Sequence, residues 1–344
     1  MAVLTHIGVA LGGHRYTAGE IESGAAQWLA SDPELLQLFL RYLHSSLAQH
    51  RHYSLTIEEL LTLGGMASRA AIFEARATEL AREAISRCLE TSHLPPISIR
   101  GLITTSCSLP AIPALDTALI PSLKMNGTML RVPIFQHGCA GGVAGLALAS
   151  KLSMSCSPVF LVSVEQCTLG FQPRDLRRSQ LVGAALFSDG AGCAVIETQG
   201  PGLQFVDSQS FLLPNTRHLM GYDIWDDGFH LRLDRDLPAA LSDYIGGVVS
   251  EFLGRNKLVE RDIEWWLFHP GGIKILDLLE ATFALGRGQC KWARYVLEHF
   301  GNMSSASILF VLNEFLKEKH NSGHVLVIGI GPGLTIETIL FRHQ

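Results

Sequence analysis

The chain has 344 residues, of which 47% are hydrophobic and 17% charged, and its formal net charge is −5. This composition excludes a disordered chain, and an acidic balance without a basic tract argues against nucleic acid as a partner. A mean hydropathy of +0.24 indicates extensive α/β layers or a large subunit interface. The length permits two ordinary domains or one large duplicated domain with a substantial core.

Hydropathy and cysteine spacing indicate the cellular compartment. No apolar run approaches the roughly 20 residues of a membrane helix, and no basic segment precedes the apolar N-terminal patch. We therefore expect neither a membrane span nor a secretory signal. The seven cysteines form no CxxC pair and no His/Cys metal spacing. We therefore expect a cytoplasmic protein without a metal site or a disulfide framework. Most of the cysteines should be small buried apolar residues.

Strands and helices are predicted to alternate along the chain. The predicted strands are Val3–Val9, Ile99–Thr105, Val132–Phe135, Val159–Val164, Ala184–Glu197, Ile263–Phe268, Val325–Ile330 and Leu334–Phe341. The predicted helices are Ala67–Leu89, Ala140–Leu152, Pro238–Leu253 and Met303–Glu318. A Gly-Pro-Gly interruption at 200–202 suggests a boundary. We predict an α/β protein with halves at 1–200 and 201–344, each with a strand that delivers a reactive residue into the turn before a helix.

Cys139 is the first candidate reactive residue. It follows a predicted strand and lies between Gly138 and the pair Gly141 and Gly142 at the start of a predicted helix. A helix N-terminus stabilises a thiolate, and glycines let a substrate approach backbone amides that can bind an oxyanion. A buried structural cysteine is the competing interpretation, and this motif alone favours it.

His269 and Asn302 strengthen the catalytic interpretation. His269 follows a predicted strand, and Asn302 precedes a predicted helix. Taken singly, His269 is a turn residue and Asn302 a helix cap. Together with Cys139 they suggest a nucleophile, a proton partner and a hydrogen-bond donor on three separate turns. A His–Asn donor pair suits an enolate formed when a malonyl thioester loses its carboxylate.

Five segments resemble the signature blocks of the type III polyketide synthases, the chalcone synthase superfamily. In chain order they are QHGCAGG (Gln136–Gly142), LVGAALFSDGAG (Leu181–Gly192), WLFHPGGIKILD (Trp266–Asp277), GNMSSASILFVLNE (Gly301–Glu314) and GIGPGLTIETIL (Gly329–Leu340). The resemblance extends from about residue 100 to the C-terminus. Nearer the N-terminus it rests on HRHYSLTIEELL (His50–Leu61).

The resemblance implies a thiolase fold, a duplicated αβαβα five-layered sandwich, usually as a homodimer. It implies that Cys139 takes the starter acyl group, while His269 and Asn302 promote malonyl decarboxylation and stabilise the resulting enolate. His269 should also form an ion pair with the Cys139 thiolate. No cofactor or metal is implied, and the substrates are acyl-CoA or acyl-carrier-protein thioesters together with malonyl-CoA.

The resemblance also identifies residues that bind the substrate. Phe187 and Phe229 match the two gatekeeper phenylalanines between entry tunnel and cavity, with core packing as their alternative role. Gly170 and Met220 occupy cavity positions where plant members often have Thr and Gly. The first change widens the cavity and the second narrows it, so starter, extension number and cyclisation mode stay open.

A loop and a serine are expected beside the nucleophile. Gly331, Pro332 and Gly333 match the loop that shapes the cavity there, and Ser304 falls next to it in the family pattern.

Departures from the plant pattern affect substrate delivery. The segment after Cys139 is one residue shorter than the plant form. The chain is also shorter than plant enzymes, which favours a bacterial-type member. Plant members place several cations for coenzyme A phosphates in the stretch where this chain offers mainly Arg41 and Arg51. An acyl carrier protein is therefore a second candidate carrier for one substrate.

Two alternatives to this function remain. A ketoacyl-acyl carrier protein synthase III shares the fold and the Cys-His-Asn set, but it typically carries His-Gln-Ala-Asn where this chain has His269–Gly272, and it lacks the Gly-Pro-Gly block. A non-catalytic thiolase-fold partner subunit would be expected to lose Cys139, His269 or Asn302, and all three are present.

Overall fold

A mixed β-sheet organises the computed structural model, which describes residues 1–286 and 288–343. The strands are β1 (Val3–Leu11), β2 (His14–Thr17), β3 (His50–Tyr53), β4 (Gly101–Ser106), β5 (Leu130–Phe135), β6 (Val159–Gln166), β7 (Asp189–Glu197), β8 (Leu203–Leu212), β9 (Met220–Trp225), β10 (Gly228–Leu233), β11 (Ile263–Phe268), β12 (Gly323–Gly331) and β13 (Thr335–His343). The helices are α1 (Ala18–Trp28), α2 (Pro33–Ser45), α3 (Ile57–Leu61), α4 (Met66–Ser92), α5 (Asp116–Ser122), α6 (Gly141–Ser153), α7 (Arg178–Leu186), α8 (Leu237–Arg255), α9 (Ile273–Thr282), α10 (Lys291–Phe300) and α11 (Ser307–Leu316).

The main sheet consists of two runs of strands with the same pattern of directions. The first run has the order β1-β7-β6-β4-β5 and the second the order β8-β13-β12-β11. β6 is parallel to β4 and antiparallel to β7, and β12 is likewise parallel to β11 and antiparallel to β13. The runs meet where β1 pairs with β8 through Val3 and Leu4.

Helices form layers between and outside the two runs. α6 contacts β4 and β6 of the first run and β12 and β13 of the second, and α11 contacts β1, β7 and β11. These two helices therefore form a middle layer. α4 covers β1 and β7 from outside, and the buried side chains of α8 share a hydrophobic cluster with β11–β13. The predicted αβαβα sandwich is confirmed.

Most of the predicted elements exist, and one prediction is partly wrong. The run Ala184–Glu197 is predicted to be one strand, but α7 continues through Leu186 and β7 begins at Asp189. Phe187 lies between them in extended conformation, with φ −76° and ψ 154°. The sequence analysis also missed α1 and α2, although Thr17 and Asp32 cap them by side-chain hydrogen bonds typical of helix starts.

None of the helices within the described residues combines the length and the apolar character needed to cross a lipid bilayer.

Close packing of α6 depends on Gly142. A Cβ atom there would lie 2.1 Å from the Ser305 backbone oxygen and 2.7 Å from Ile308 Cγ2. Since the Ser305 oxygen belongs to the backbone at the start of α11, it cannot rotate away. The middle layer is thus closed by backbone contact between its two helices.

Gly142→Ala should lower the free energy of unfolding by about 1–3 kcal/mol, because overpacking a well-packed core costs that much. Gly247→Ala is a matched control, since Gly247 is an exposed position of α8 where an added Cβ atom would meet no other atom within 4 Å. The control should raise stability by about 0.5–1 kcal/mol through helix propensity. Thermal unfolding of both variants tests this, and a Gly142→Ala variant as stable as wild type would contradict it.

Candidate active site

The turn that carries Cys139 is held against the second half of the chain. Cys139 lies in a short 3₁₀ turn, Gly138–Ala140, directly before α6. Gly138 has a φ of +59°, and a Cβ atom there would come within 2.2 Å of Pro332 Cδ. Glycine is therefore required for both conformation and space.

The Gly-Pro-Gly loop between β12 and β13 packs on this turn, as predicted. A Cβ atom at Gly331 would lie 2.7 Å from Ala140 Cβ and 3.0 Å from the His137 backbone oxygen. Gly333 has a φ of +74°, a conformation that favours glycine. The loop therefore lies beside Cys139.

Ser304 connects Cys139 with Asn302. Its hydroxyl donates to Cys139 Sγ at 3.4 Å, and its backbone N–H donates to Asn302 Oδ1 at 2.8 Å. Ser304 has a φ of +47°, which is unusual for a residue other than glycine. The Asn302 amide group donates in turn to the Gly271 oxygen at 3.4 Å. The chain of contacts thus runs from Cys139 through Ser304 and Asn302 to Gly271, two residues after His269.

His269 lies at the end of β11, and its backbone N–H donates to the Ile328 oxygen of β12 at 2.9 Å. Its side chain is buried, and within residues 1–286 and 288–343 neither ring nitrogen has a hydrogen-bond partner. Buried polar atoms are nearly always paired in proteins, so an imidazole with two unpaired nitrogens indicates a place where a ligand supplies the partner.

Burial favours the neutral forms of Cys139 and His269 when each is considered alone. It raises the pKa of the Cys139 thiol to about 11, and the Ser304 hydrogen bond offsets this in part. It lowers the pKa of His269 to about 4. The position at a helix N-terminus predicts a lowered pKa for Cys139, but desolvation of the charged sulfur outweighs that effect.

Two further polar residues adjoin the nucleophile and were missed by the sequence analysis. Cys107 Sγ lies 3.2 Å from Ser304 Oγ, the same hydroxyl that contacts Cys139. Glu165 accepts hydrogen bonds from the Cys107 backbone, Ser108 and Ser305. Burial nevertheless raises the pKa of Glu165. A single acid inside the apolar run of β6 was the signal that could have identified it, since buried carboxylates are rare.

An apolar cavity of about 70 Å³ lies next to Phe187, which forms a backbone bridge with Asn302. Gly170, Phe187 and Tyr222 line it, together with residues of α1–α3. A Cβ atom at Gly170 would lie 3.8 Å from the Tyr222 hydroxyl, so Tyr222 borders the space that the glycine leaves. The buried Phe229 ring stands 5.7 Å from the Tyr222 ring. Met220 is not among the residues that line this cavity. It packs against the hydrophobic cluster that contains the buried side chains of α8 and β11–β13.

The two arginines proposed for carrier phosphates lie in different environments. Arg51 is 0% exposed, and its guanidinium donates to the backbone oxygens of Ala185 and Ala48 and to the Ser46 hydroxyl. A buried guanidinium with these partners cannot reach a phosphate in solvent, so Arg51 is removed from the proposed phosphate site. Arg41 is exposed on α2.

Comparison with known proteins identifies the family. Models described as "Chalcone and stilbene synthases", N-terminal and C-terminal domain, match residues 32–201 and 195–344. A 1,3,6,8-tetrahydroxynaphthalene synthase of Streptomyces peucetius subsp. caesius is 33% identical, with 97% of this chain and 91% of that protein covered. A phloroglucinol synthase of Pseudomonas fluorescens is 29% identical, with 90% of each chain covered.

Solved structures agree. The crystal structure of 1,3,6,8-tetrahydroxynaphthalene synthase from Streptomyces coelicolor A3(2), a bacterial type III polyketide synthase, has a TM-score of 0.94 at 29% identity, with 99% of each chain covered. The type III domain of Steely1 from Dictyostelium has the same TM-score and coverage at 23% identity and shows the fold alone.

The chain therefore belongs to the chalcone and stilbene synthase family, with the thiolase fold. It is a type III polyketide synthase, a condensing enzyme of the acyltransferase type. Neither the ketoacyl synthase III alternative nor the non-catalytic alternative is favoured by these relatives.

Ser304→Ala should raise the pKa of Cys139 further, because the hydroxyl hydrogen bond stabilises the thiolate. Hydrogen bonds to charged groups contribute about 1.5–3 kcal/mol, so alkylation of Cys139 by iodoacetamide at fixed pH should slow about tenfold or more. Peptide mass spectrometry can follow Cys139 separately from Cys107. Ser305→Ala is the control, since Ser305 binds Glu165 and should affect thermal stability without this slowing. Equal slowing in both variants would contradict the assignment.

Proposed function

We propose that Cys139 accepts the starter acyl group, and that His269 and Asn302 promote decarboxylation of the malonyl thioester and stabilise its enolate. The observation that carries this proposal is the contact chain from Cys139 through Ser304 and Asn302 to the turn after His269. A sulfur nucleophile, an amide donor and an unpaired imidazole on these neighbouring turns support the proposal, because they are the set that acyl transfer requires.

Loading begins with a proton transfer from Cys139 to His269. Burial opposes either charge alone, so the thiolate and the imidazolium form together, where their attraction offsets part of the desolvation. The sulfur attacks the carbonyl carbon of the carrier thioester, and a new carbon–sulfur bond forms. The carrier thiolate leaves and takes the proton from His269, which returns to its neutral form.

Extension follows at the same groups. The malonyl thioester loses CO₂, and the electron pair of the broken carbon–carbon bond moves onto the thioester oxygen as an enolate. The Asn302 amide and one protonated nitrogen of neutral His269 donate to that oxygen, which is the usual means of stabilising a developing oxyanion. The enolate carbon then attacks the acyl group on Cys139, and the thiolate is released.

Phe187 and Phe229 form the gate of the cavity in this proposal. Phe187 lines the apolar cavity and pairs with Asn302 through a backbone bridge. The Phe229 ring stands 5.7 Å from the ring of Tyr222, which lines the same cavity. Two aromatic rings there would exclude water and order the growing chain.

The substrates are thioesters in this proposal, namely acyl-CoA or an acyl carrier protein thioester as starter and malonyl-CoA as extender. Exposed Arg41 is the remaining candidate for carrier phosphates. The Cys-His-Asn set supplies the chemistry without a cofactor. Two relatives are named for tetrahydroxynaphthalene and phloroglucinol, which are cyclised products. We infer that extension is followed by cyclisation in this enzyme too.

We propose that residues 1–200 and 201–344 are the two related halves of the fold, as the repeated strand directions support. We also propose that the enzyme acts in the cytoplasm, where its seven free cysteines would remain thiols.

Loading and extension can be tested separately with two variants. Cys139→Ala should abolish the acyl mass increment seen by intact-mass spectrometry after incubation with an acyl-CoA. Asn302→Ala should still load, yet release CO₂ from malonyl-CoA about 10²–10³-fold more slowly, the usual loss for one oxyanion donor.

Acylation that persists in Cys139→Ala would remove Cys139 as the nucleophile. Condensation at the wild-type rate in Asn302→Ala would limit Asn302 to a structural role. Cys156→Ala serves as the control for cysteine loss, because Cys156 binds the Leu152 oxygen at the far end of α6 and should load normally.

A homodimer is proposed through the β5 edge of the sheet. β5 ends the strand order, and its Leu130 and Phe135 side chains are 44% and 40% exposed. Ile112, in the loop after β4, is 97% exposed. Large apolar side chains on an unpaired edge are typical of an interface, and here we assign a second copy of the chain.

Light scattering after gel filtration should give twice 37.5 kDa for the wild type. Phe135→Glu should shift the mass toward the monomer, because a charge in an apolar interface is costly. Val259→Glu, at an apolar residue 50% exposed before β11, should leave the dimer intact. A wild-type monomer would refute the proposal.

A further inference from the structure

The β9–β10 hairpin carries cavity residues on one face and a charged network on the other. Side chains alternate along a strand, so Phe229 and Leu231 face the interior while His230 and Arg232 face outward. Phe229 is buried beside Tyr222, and Leu231 and Tyr222 line the cavity. The hairpin is a separate two-stranded sheet, so the main sheet does not fix its position.

His230 is the centre of the outward network. Its side chain is 2% exposed and lies between two carboxylates, with Nδ1 2.7 Å from Asp175 Oδ2 and Nε2 2.8 Å from Asp227 Oδ1. Both imidazole nitrogens are therefore in contact with carboxylate oxygens. The Trp225 ring stacks on the imidazole at 3.8 Å.

Asp175 anchors His230 to the segment before α7. Arg177 donates to both Asp175 oxygens, from Nε at 2.9 and 3.1 Å and from Nη2 at 2.7 Å. Burial opposes ionisation of Asp175, but the hydrogen bonds from Arg177 and His230 outweigh it and lower its pKa to about 2. Asp175 is thus a fixed negative charge under the hairpin.

A second anchor acts on the hairpin backbone. Gln172 donates from Nε2 to the Phe229 oxygen at 3.3 Å and accepts from Arg69 Nη2 at 3.1 Å. Buried Arg69 also donates to the backbone oxygens of Leu169 and Phe171, which flank Gly170. The backbone of Phe229 and the cavity wall at Gly170 are therefore held by the same guanidinium.

The hairpin packs so closely on Gln172 that no side chain fits between them at Gly228. A Cβ atom at Gly228 would lie 2.4 Å from Gln172 Nε2, and Gly228 has a φ of +143°. Ser179, at the start of α7, adds a third connection by donating to the Leu231 oxygen at 2.7 Å. α7 ends at Leu186 and Phe187 follows it directly, so one continuous segment, residues 169–187, holds the hairpin and carries the other proposed gate residue.

We propose that His230, through Asp175, is a positioning residue that fixes the hairpin and thereby sets the chain length of the product. This inference rests on the proposed function, because it assumes that the cavity holds the growing acyl chain. His230 touches neither the nucleophile nor the cavity. It acts through the position of Tyr222, whose ring lines the cavity, and of Phe229, whose ring stands 5.7 Å from the Tyr222 ring.

Three substitutions at His230 separate positioning from stability. His230→Leu removes both hydrogen bonds, so the ratio of longer to shorter products should change about tenfold, since displacement of a positioning group by about 1 Å can alter rates by that much or more. His230→Asn can place its amide nitrogen near Nδ1 and keep the bond to Asp175, so the wild-type ratio should be retained. His230→Gln reaches toward exposed Asp227 and should shift the ratio as His230→Leu does.

His320→Leu is the matched control. His320 Nε2 donates to the Phe315 backbone oxygen at 2.7 Å, and its ring stacks on the Phe315 ring, away from the cavity. Its loss should lower thermal stability and leave the product ratio unchanged. Product ratios from malonyl-CoA and a fixed acyl-CoA, intact-mass loading of Cys139 and thermal unfolding are measured on the same preparations.

Each outcome bears on one claim. Changed ratios in His230→Leu and His230→Gln, with the wild-type ratio in His230→Asn, support the inference. Normal loading with the wild-type ratio in His230→Gln, or an altered ratio in His230→Asn, overturns it even when His230→Leu does not fold. Wild-type enzyme that loads no acyl group would instead overturn the proposed function, on which the inference depends.

Discussion

Backbone contact between the Cys139 turn and the second half of the chain is the constraint from which the site follows. Gly138 lies against Pro332, and Gly142 lies against the Ser305 oxygen, with no space for a side chain at either glycine. The same contact brings Ser304 within hydrogen-bond distance of Cys139 Sγ. Any increase in the spacing of the two halves would separate the sulfur from the groups before α11 that act on it.

Burial of polar groups is the second consequence of this packing. Asp189 accepts from Thr168 and from the Ser54 backbone, and Glu165 is similarly satisfied, so these acids stabilise the strands around the site. His269 differs, because both its nitrogens lack partners among the described residues. An unsatisfied buried group costs about 1–3 kcal/mol, and a substrate that supplies the missing partner recovers that free energy on binding. The packed core therefore leaves both nitrogens of the His269 imidazole available to hydrogen-bond a ligand.

The cavity wall shows why single positions do not determine the shape of the cavity. Gly170 has no side chain, and Tyr222 of the hairpin borders that position, 3.8 Å from where a Cβ atom would lie. Met220, on the same strand as Tyr222, is predicted to narrow the cavity. It packs instead against the hydrophobic cluster that contains α8 and β11–β13. Neighbouring side chains compensate for one another in a close-packed interior, so their effects on cavity shape are coupled.

Local pattern is sufficient to predict the strongly periodic strands and helices, and motif order is sufficient to predict the family. The motifs also predict a site formed by Cys139, His269 and Asn302. Three other properties appear only when the chain is folded: Arg51 is buried, Cys107 adjoins the site, and burial rather than the helix N-terminus dominates the pKa of Cys139. These properties depend on which distant segments surround a side chain. Desolvation and space are set by all neighbours in three dimensions, and the spacing of residues along the chain does not specify them.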